Sequence, residues 1–293
     1  MQTRRLGPFD LYPIGLGAMP FSLGDNEKPS EDQAVATVHA ALDSGVTFID
    51  TADVYAPSWD AMGHNERIVA RALASYGASV DHVVVGTKGG ITRGSGESWG
   101  RDGSMKYLRE AVEASLRALD RDVIDLYQWH RPDRWMVYGD VVAHFKTLHD
   151  EGKIRAIGIS NANVEEIEVA VEVLGPDGLA SVQNEFSPRF RCSRDELDLC
   201  ARLGVAFLPW SPLGGTGKAS KSVGDRYTVF SEIGTALGVT PQQVVLAWEL
   251  ALGKHVIPIP GASRPESITD SAKAASLELD SEQLDRIRAV LDE

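Results

Sequence analysis

Four residues able to take part in proton transfer lie at or just after the ends of three successive apolar runs. Asp50 lies near the end of the first run and Tyr55 follows five residues later, whereas Lys88 and His130 end the second and third runs. A lysine ammonium beside a phenol favours the phenolate and lowers the pKa of the tyrosine, and an imidazole can orient a substrate oxygen. A buried lysine also needs a counter-ion, which Asp50 can supply. Together, the four residues predict a tyrosine that acts as a general acid near neutral pH.

Each of these residues has a plainer interpretation when it is taken alone. Asp50 can cap a turn, Tyr55 can be a half-buried loop aromatic, and His130 can be a packed histidine. A lysine at a strand end is more often solvated than catalytic, and inside a barrel it can instead form a Schiff base, as in a lyase or aldolase. Borohydride trapping with a carbonyl substrate separates the Schiff-base hypothesis from proton transfer.

The runs that carry these residues belong to a longer alternation. Eight short apolar runs are separated by segments with helical periodicity, such as the one that begins at the capping box Ser30-x-x-Gln33. The runs are unbroken rather than alternating, as expected for strands that are covered on both faces. They lie at 12–18, 46–52, 82–88, 123–130, 154–160, 180–186, 204–211 and 255–260.

Eight strand–helix units in a chain of this length predict an α/β fold, a (β/α)8 TIM barrel formed by the single domain 1–293. An N-terminal β-hairpin at 3–11 and extra helices are expected beside it. An open doubly wound sheet is the alternative, but the segment 15–20 lacks the third glycine of a Gly-x-Gly-x-x-Gly turn. The irregular glycine-rich stretches 89–103 and 213–226 follow strands, on the side where barrel active sites lie.

The remaining strand ends are also polar. Ser160, Asn161 and Gln183 carry groups that can bind a carboxamide, and the indole of Trp210 can stack on a flat ring. The start of the helix after the last strand is a candidate anion site. There, Ser263-x-x-Glu266 can itself be a capping box, which makes the neighbouring Arg264 the candidate phosphate ligand.

The composition narrows the classes of partner. The 293 residues include 29 Lys and Arg against 42 Asp and Glu, a formal charge of −13. This acidity argues against a broad nucleic-acid or anionic-membrane surface. Two cysteines and no long apolar stretch predict a chain in a reducing, cytoplasmic setting. No metal site is expected, because His144 and His149 are five residues apart on a predicted helix and Cys192 and Cys200 lack metal-ligand spacing.

Over nearly its whole length the sequence resembles the aldo-keto reductase superfamily. The resemblance rests on an ordered series of short motifs rather than on one match. The motifs are GLGAMPF at 15–21, GVTFIDTADVY at 45–55, GTK at 86–88, DLYQWHRPD at 125–133, GKIRAIGISN at 152–161, QNEFS at 183–187, WSPLGG at 210–215 and IPIPGASRPE at 257–266.

The resemblance implies reduction of a small-molecule carbonyl substrate by a nicotinamide cofactor. Asp50, Tyr55, Lys88 and His130 match the family's catalytic tetrad, in which Tyr55 would protonate the carbonyl oxygen. The cofactor contacts it implies are Gly17, Ala18, Met19, Ser160, Asn161, Gln183, Trp210, Ser211, Leu213, Gly215, Ser263, Arg264 and Asp270.

Two departures from the family pattern concern the cofactor. Gly261 stands where many members have Lys, and Ser267 stands where many have Arg. The grip on a 2′-phosphate therefore depends mainly on Arg264, and NADPH is the expected cofactor with NADH as the alternative. The aromatic residues expected to line the substrate pocket beside Tyr55 are Phe21, Trp59, Trp99 and Trp129.

One alternative of a different class comes from the same resemblance. Channel-associated regulatory subunits of this fold bind the cofactor without acting as enzymes, and they retain the tetrad. The absence of an N-terminal extension counts against this alternative. No membrane or nucleic-acid partner is expected, and no coiled coil or exposed apolar stripe points to an oligomeric state.

Overall fold

The computed structural model describes residues 3–24, 27–215 and 217–291. Its strands are β1 Arg4–Leu6, β2 Phe9–Leu11, β3 Leu16–Gly17, β4 Phe48–Asp50, β5 Val84–Gly89, β6 Ile91–Gly94, β7 Ser98–Arg101, β8 Ile124–Trp129, β9 Ile154–Ser160, β10 Leu179–Gln183 and β11 Ala206–Phe207. Its α-helices are α1 Glu31–Asp43, α2 His64–Ser75, α3 Met105–Leu119, α4 Tyr138–Asp150, α5 Val164–Leu174, α6 Arg194–Leu203, α7 Lys218–Lys221, α8 Val223–Arg226, α9 Thr228–Leu237, α10 Pro241–Ala251, α11 Pro265–Ala272 and α12 Ser281–Leu291.

Seven parallel strands form one curved sheet in the order β11-β10-β9-β8-β5-β4-β3. The segment 255–261 closes this sheet into a barrel. On one side, the Phe207 N–H donates to the His255 carbonyl over 2.8 Å; on the other, the Gly17 N–H donates to the Pro260 carbonyl over 3.0 Å. The eighth run is therefore present, although its prolines lack the N–H groups of a regular strand. The predicted α/β barrel is confirmed.

The predicted N-terminal hairpin is also present. β1 pairs antiparallel with β2, and Leu6 and Leu11 pack against residues of the barrel interior such as Phe48. The guanidinium of Arg4 donates to the carbonyls of Leu250, Gly253 and Val256, near the end of α10. These three acceptors and the two buried leucines fix the hairpin to the barrel.

Side chains on β8 point alternately to the two sides of the barrel wall. Leu126 belongs to the interior apolar cluster, and Gln128 bonds to interior polar groups. Tyr127 and Trp129 face outward and pack their rings against Phe145 of α4. This alternation, which every strand imposes, decides which residues reach the site.

The two glycine-rich stretches are more ordered than the sequence indicates. Within 89–103, β6 and β7 form an antiparallel hairpin whose turn includes Gly96 and Glu97, both with positive φ. Within 213–226, the short helices α7 and α8 follow the turn at Gly214–Gly215; Thr216 lies outside the described residues. No helix among the described residues is both long and apolar enough to cross a membrane.

One buried glutamate on α10 has no group among the described residues that satisfies its carboxyl. Glu249 of α10 is completely buried, and neither of its carboxylate oxygens has a hydrogen-bond partner within the described part of the chain. Burial raises the pKa of Glu249 well above its usual value. The folded chain therefore keeps this carboxyl protonated at pH values where the unfolded chain ionises it.

We expect Glu249→Gln to raise the free energy of unfolding more at about pH 8 than at about pH 5. The stability contributed by a carboxyl with a raised folded pKa is present below the unfolded pKa of about 4.3 and is lost as the pH rises toward the folded value, at about 1.4 kcal/mol per pH unit. Urea unfolding at both pH values measures the effect, with exposed Glu282→Gln as the control. An equal gain in the free energy of unfolding at the two pH values would contradict the description of Glu249 as a buried carboxyl without a partner.

Candidate active site

Lys88 lies at the centre of the buried polar cluster at the barrel mouth. Its Nζ donates to Asp50 Oδ2 over 2.6 Å and to the Thr51 carbonyl over 2.8 Å, and it lies 3.4 Å from the Tyr55 hydroxyl. The Lys88 side chain is 0% exposed and that of Asp50 is 5% exposed. The ends of β4 and β5 thus bring together three of the four residues singled out from their types and spacing.

The pKa values of this group reflect burial and charge together. Burial lowers the pKa of Lys88, but Asp50 and Tyr55 outweigh it, so the net pKa is raised and the amine is protonated. Burial raises the pKa of Tyr55, and the nearby Lys88 ammonium offsets this only in part. The expectation that Lys88 lowers the Tyr55 pKa therefore describes one contribution, and the net direction in the protein is upward.

His130 completes the cluster from the end of β8. Its ring meets that of Tyr55 edge-on, with the ring centroids 5.6 Å apart. Burial, together with Lys88 and Arg131, holds the pKa of His130 well below its ordinary value. The imidazole is therefore neutral near pH 7 and carries one N–H, and its Nδ1 has no protein partner among the described residues. Such a ring can orient an oxygen without adding charge.

Gln128 is a member of this network that the motifs do not reveal. Its Nε2 donates to Asp50 Oδ1 over 3.1 Å, and its Oε1 accepts from Gln183 Nε2 over 3.2 Å. Gln183 Nε2 also donates to Asp50 Oδ1 over 2.8 Å. Both Asp50 oxygens are thus engaged, because Lys88 takes the other one. The signal in the sequence is parity: Gln128 stands two residues before His130 and so faces the same side of β8.

Ser160, Asn161 and Gln183 lie together where β9 and β10 end. Ser160 Oγ donates to the Gln183 carbonyl over 2.8 Å, and Asn161 Nδ2 donates to the His130 carbonyl over 3.1 Å. Asn161 adopts a positive φ of 58°, which is uncommon outside glycine and turns its amide toward the mouth. The predicted carboxamide-binding groups are therefore neighbours, and Gln183 joins them to Asp50.

A cleft of two connected parts runs across the mouth. The first, smaller part reaches Asp50, Tyr55 and His130, and the second, larger part extends to the start of α11. Predicted cofactor residues that line the first part are Gly17, Met19, Ser160, Asn161, Gln183, Trp210, Ser211, Leu213 and Gly215. Those that line the second are Met19, Leu213, Ser263, Arg264 and Asp270.

One predicted cofactor residue, Ala18, lies outside the lining of the cleft, and another, Asp270, is already hydrogen-bonded within the protein. Ala18 is fully buried beside the cleft rather than in its lining, with its N–H donating to the Asp50 carbonyl. Asp270 lines the cleft, but its oxygens already accept from Thr240 Oγ1 over 2.7 Å and from Gln243 Nε2 over 2.6 Å. Its carboxylate therefore ties α11 to the start of α10.

The anion site at α11 is open in the way that ligand binding requires. Arg264 occupies the N-cap position, and no side chain caps the helix there. The capping box anticipated for Ser263 does not form, because the helix begins at Pro265 and Ser263 lies one residue too early. Pro265 has no N–H and the Ser267 N–H donates to the Arg264 carbonyl over 3.1 Å, which leaves the Glu266 N–H and the Arg264 side chain available to an anion.

Two of the four aromatic residues predicted for the substrate pocket, Phe21 and Trp129, are packed away from the cleft. Trp129 faces outward from β8 and packs on Tyr138 of α4, and Phe21 is buried in the main apolar cluster, so neither lines the cleft. Trp59, in the loop after Tyr55, and Trp99, on β7, are 41% and 51% exposed and lie outside the lining of the cleft. Strand parity explains Trp129, since its neighbours Gln128 and His130 take the inward positions.

The cleft has the form expected for a dinucleotide. Its narrow first part presents amide and hydroxyl groups beside the partly exposed Trp210, and its wide second part ends at an uncapped helix start with an arginine. The buried Trp210 Nε1 has no partner among the described residues. A flat ring with a carboxamide and a phosphate-bearing tail matches this distribution of groups. The described residues contain no cluster of His, Cys, Asp and Glu able to hold a metal.

The fold and the site together describe a closed (β/α)8 barrel protein with an aspartate, a tyrosine, a lysine and a histidine at its mouth. The sequence model of the aldo/keto reductase family matches residues 13–292. This chain belongs to the aldo/keto reductase family.

Relatives of known sequence extend over most of the chain. It is 35% identical over 271 residues to the 6-dehydroglucose reductase of Novosphingobium aromaticivorans, covering 89% of this chain and 86% of the relative. It is 32% identical over 294 residues to an uncharacterized oxidoreductase of Schizosaccharomyces pombe, covering 99% and 89%.

Solved structures match the whole architecture. The glycerol dehydrogenase of Gluconobacter oxydans superposes with a TM-score of 0.83 at 26% identity, covering 99% of this chain and 95% of that one. An aldo/keto reductase from Klebsiella pneumoniae in complex with NADP and acetate superposes with a TM-score of 0.81 at 26% identity, with the same coverage.

Proposed function

We propose that the protein is an NADPH-dependent oxidoreductase that reduces an aldehyde or ketone to an alcohol, with Tyr55 as the general acid. The observation that carries this proposal is the contact of one buried ammonium, Lys88 Nζ, with both Asp50 and Tyr55 at the floor of the cleft. A protonated phenol beside a fixed positive charge can donate its proton and remain stabilised afterwards.

The residues of the cluster have distinct roles in this reaction. NADPH, held along the cleft, would supply the hydride. Tyr55 donates its hydroxyl proton to the carbonyl oxygen, and Lys88 stabilises the phenolate that remains. Asp50 keeps Lys88 charged and in place, and the neutral His130 orients the carbonyl oxygen. Ser160, Asn161 and Gln183 would bind the carboxamide of the cofactor.

The protonation of Lys88 argues against the Schiff-base hypothesis. Formation of an imine requires a neutral amine, whereas Asp50 and Tyr55 raise the pKa of Lys88 and hold it protonated. An ammonium with a carboxylate at 2.6 Å is suited to electrostatic stabilisation. The geometry therefore supports proton transfer over a lyase or aldolase reaction.

A carbonyl screen tests the proposal. Oxidation of NADPH should occur with some members of a panel of aldehydes, ketones and sugar-derived carbonyls; sugars are included because one relative is a 6-dehydroglucose reductase. Binding of NADPH without oxidation across the panel would instead support the regulatory-subunit alternative. If NADPH were neither bound nor oxidised, both the reductase proposal and the regulatory-subunit alternative would be contradicted.

We expect Arg264→Ala to weaken the binding of NADPH about ten- to a hundredfold and the binding of NADH much less. The 2′-phosphate carries nearly two negative charges at neutral pH, and Arg264 lies where the uncapped helix start also favours an anion. With Gly261 and Ser267 adding no charge, little else compensates for the loss. Fluorescence titration with both cofactors measures the effect, which should shrink as salt rises.

The matched control for this prediction is Lys273→Ala. Lys273 follows the same helix but lies outside the lining of the cleft, so its loss tests the general effect of removing a positive charge. If Arg264→Ala lost the same affinity for NADPH and for NADH, Arg264 would not bind the 2′-phosphate. Other groups would then determine the choice of cofactor.

A further inference from the structure

The hairpin β6–β7 carries one buried arginine at the edge of the active site. Arg93 lies on β6, and its side chain is only 4% exposed although β7 beside it is exposed throughout. A buried guanidinium is costly unless its donors are satisfied and its charge is paired. The partners of Arg93 therefore indicate what the hairpin is built to hold.

Two of those partners are backbone carbonyls on either side of Tyr55. Arg93 Nη1 donates to the Ala56 carbonyl over 2.7 Å and reaches the Val54 carbonyl over 3.4 Å. The carbonyl between them, that of Tyr55 itself, accepts from the Asn65 N–H over 3.1 Å. Three consecutive carbonyls centred on Tyr55 are thus held by donors from other elements.

The remaining contacts fix the guanidinium in the hairpin. Glu97 Oε2 accepts from Arg93 Nε over 2.6 Å and pairs with Nη2 at the same distance. The centroid of the Trp99 ring lies 4.7 Å from the guanidinium carbon. Glu97 Oε1 accepts from the Trp59 N–H over 2.9 Å, four residues beyond Tyr55. Arg93, Glu97 and Trp99 together form a unit that we call the clamp.

We propose that the clamp is a positioning device for Tyr55: Arg93 fixes the backbone on both sides of the tyrosine and so sets the distance between its hydroxyl and Lys88. This proposal rests on the proposed function, in which Tyr55 is the general acid. It gives the glycine-rich stretch 89–103 a role in catalysis, although none of its residues touches the reacting atoms.

The distance that the clamp controls is a sensitive one. The Tyr55 hydroxyl lies 3.4 Å from Lys88 Nζ, at the outer limit of a hydrogen bond. A shift of the loop backbone by about 1 Å would break this contact, and misplacement of that size costs about a hundredfold in rate. The clamp therefore acts on kcat through Tyr55 rather than on binding of the cofactor.

Substitution of Arg93 tests the clamp. Arg93→Met should lower kcat about 10- to 100-fold with carbonyl substrate and change the Kd for NADPH less than about twofold. Arg93→Lys should restore part of the rate, because an ammonium can still donate to the Ala56 carbonyl but lacks the planar fork. The matched control is Arg67→Met: Arg67 also donates to two carbonyls of the same loop, those of Ala61 and Met62, but is exposed.

A double-mutant cycle separates positioning from a general loss of structure. If Arg93 acts through Tyr55, Arg93→Met should lower the residual single-turnover rate of Tyr55→Phe by less than about twofold, because the group that it positions is already gone. An equal loss in both backgrounds, an unchanged kcat in Arg93→Met, or the same loss in Arg67→Met would overturn the proposal.

A titration that needs no turnover keeps this test independent of the proposed reaction. Ionisation of Tyr55 is read as the absorbance difference between the wild type and Tyr55→Phe. Arg93→Met should raise the pKa of Tyr55, because the phenol loses the Lys88 ammonium that partly offsets burial. An unchanged pKa of Tyr55 in Arg93→Met would overturn the proposal that the clamp positions Tyr55. A wild-type protein that turns over no carbonyl would overturn only the proposed reaction.

Discussion

Tyr55→Phe should lower kcat with NADPH and an aldehyde by about 10²- to 10⁴-fold, the contribution typical of a positioned general acid. Phenylalanine removes the hydroxyl and leaves the ring that meets His130 edge-on. In the wild-type chain this hydroxyl hydrogen-bonds Lys88, so its removal leaves the Lys88 contacts with Asp50 and Thr51 in place. The loss therefore reports on proton donation rather than on collapse of the cluster.

Cofactor affinity provides the control for this variant. The Kd for NADPH should remain near its wild-type value, because the groups proposed to bind the carboxamide and the phosphates lie on other strands and on α11. Tyr227→Phe removes a hydroxyl from a tyrosine near α9, outside the lining of the cleft, and should leave kcat unchanged. A Tyr55→Phe variant with nearly wild-type kcat would exclude the phenol as the acid.

The candidate catalytic cluster is predictable from sequence because barrel topology brings most of its residues together. Strands that are parallel and adjacent expose their carboxyl ends at one mouth, so residues at the ends of successive strands meet whatever the loops do. Asp50, Lys88 and His130 each occupy such an end, and Tyr55 follows after a short turn. The strand ends therefore bring Asp50, Lys88 and His130 together, whereas the position of Tyr55 also depends on the loop that carries it.

The aromatic residues expected around the substrate were harder to place, because apolar type alone does not fix the direction of a side chain. Trp129 is one residue from His130 in the sequence but on the opposite face of β8, where it packs on Tyr138. Parity within the strand excludes it from the mouth and at the same time selects Gln128, which bonds Asp50. The placement of Trp59 depends on loop conformation, which has no comparable periodicity, and that of Trp99 depends on the hairpin β6–β7.

The hairpin β6–β7 shows a different limit. Its sequence, rich in glycine and without alternation of apolar residues, is typical of an irregular loop. The hairpin is joined to the loop that carries Tyr55 by the buried Arg93, which donates to the Val54 and Ala56 carbonyls. Arginine side chains that satisfy distant carbonyls leave no signal in local periodicity.

Lys88→Met should abolish turnover and also destabilise the fold. Methionine fills a similar volume but leaves Asp50 as a buried carboxylate without its ammonium partner, a change that typically costs about 3–5 kcal/mol. The pKa of Tyr55 should rise further, since the ammonium that partly offsets burial is gone. Urea unfolding, kcat and the phenol titration measure the three effects separately.

The double variant Asp50→Asn/Lys88→Met separates the role of Lys88 in catalysis from its role in stability. Removing both charges should restore much of the stability, because replacing a buried ion pair by neutral groups is far less costly than leaving one charge alone. Gln128 and Gln183 can still donate to the amide oxygen that this substitution leaves in place of the Asp50 carboxylate. Turnover should stay absent, since no ammonium remains to stabilise the phenolate of Tyr55. Recovery of kcat together with stability in the double variant would show that Lys88 acts only in folding. In the wild type, an adduct at Lys88 after borohydride treatment with a carbonyl would show that Lys88 forms a Schiff base instead.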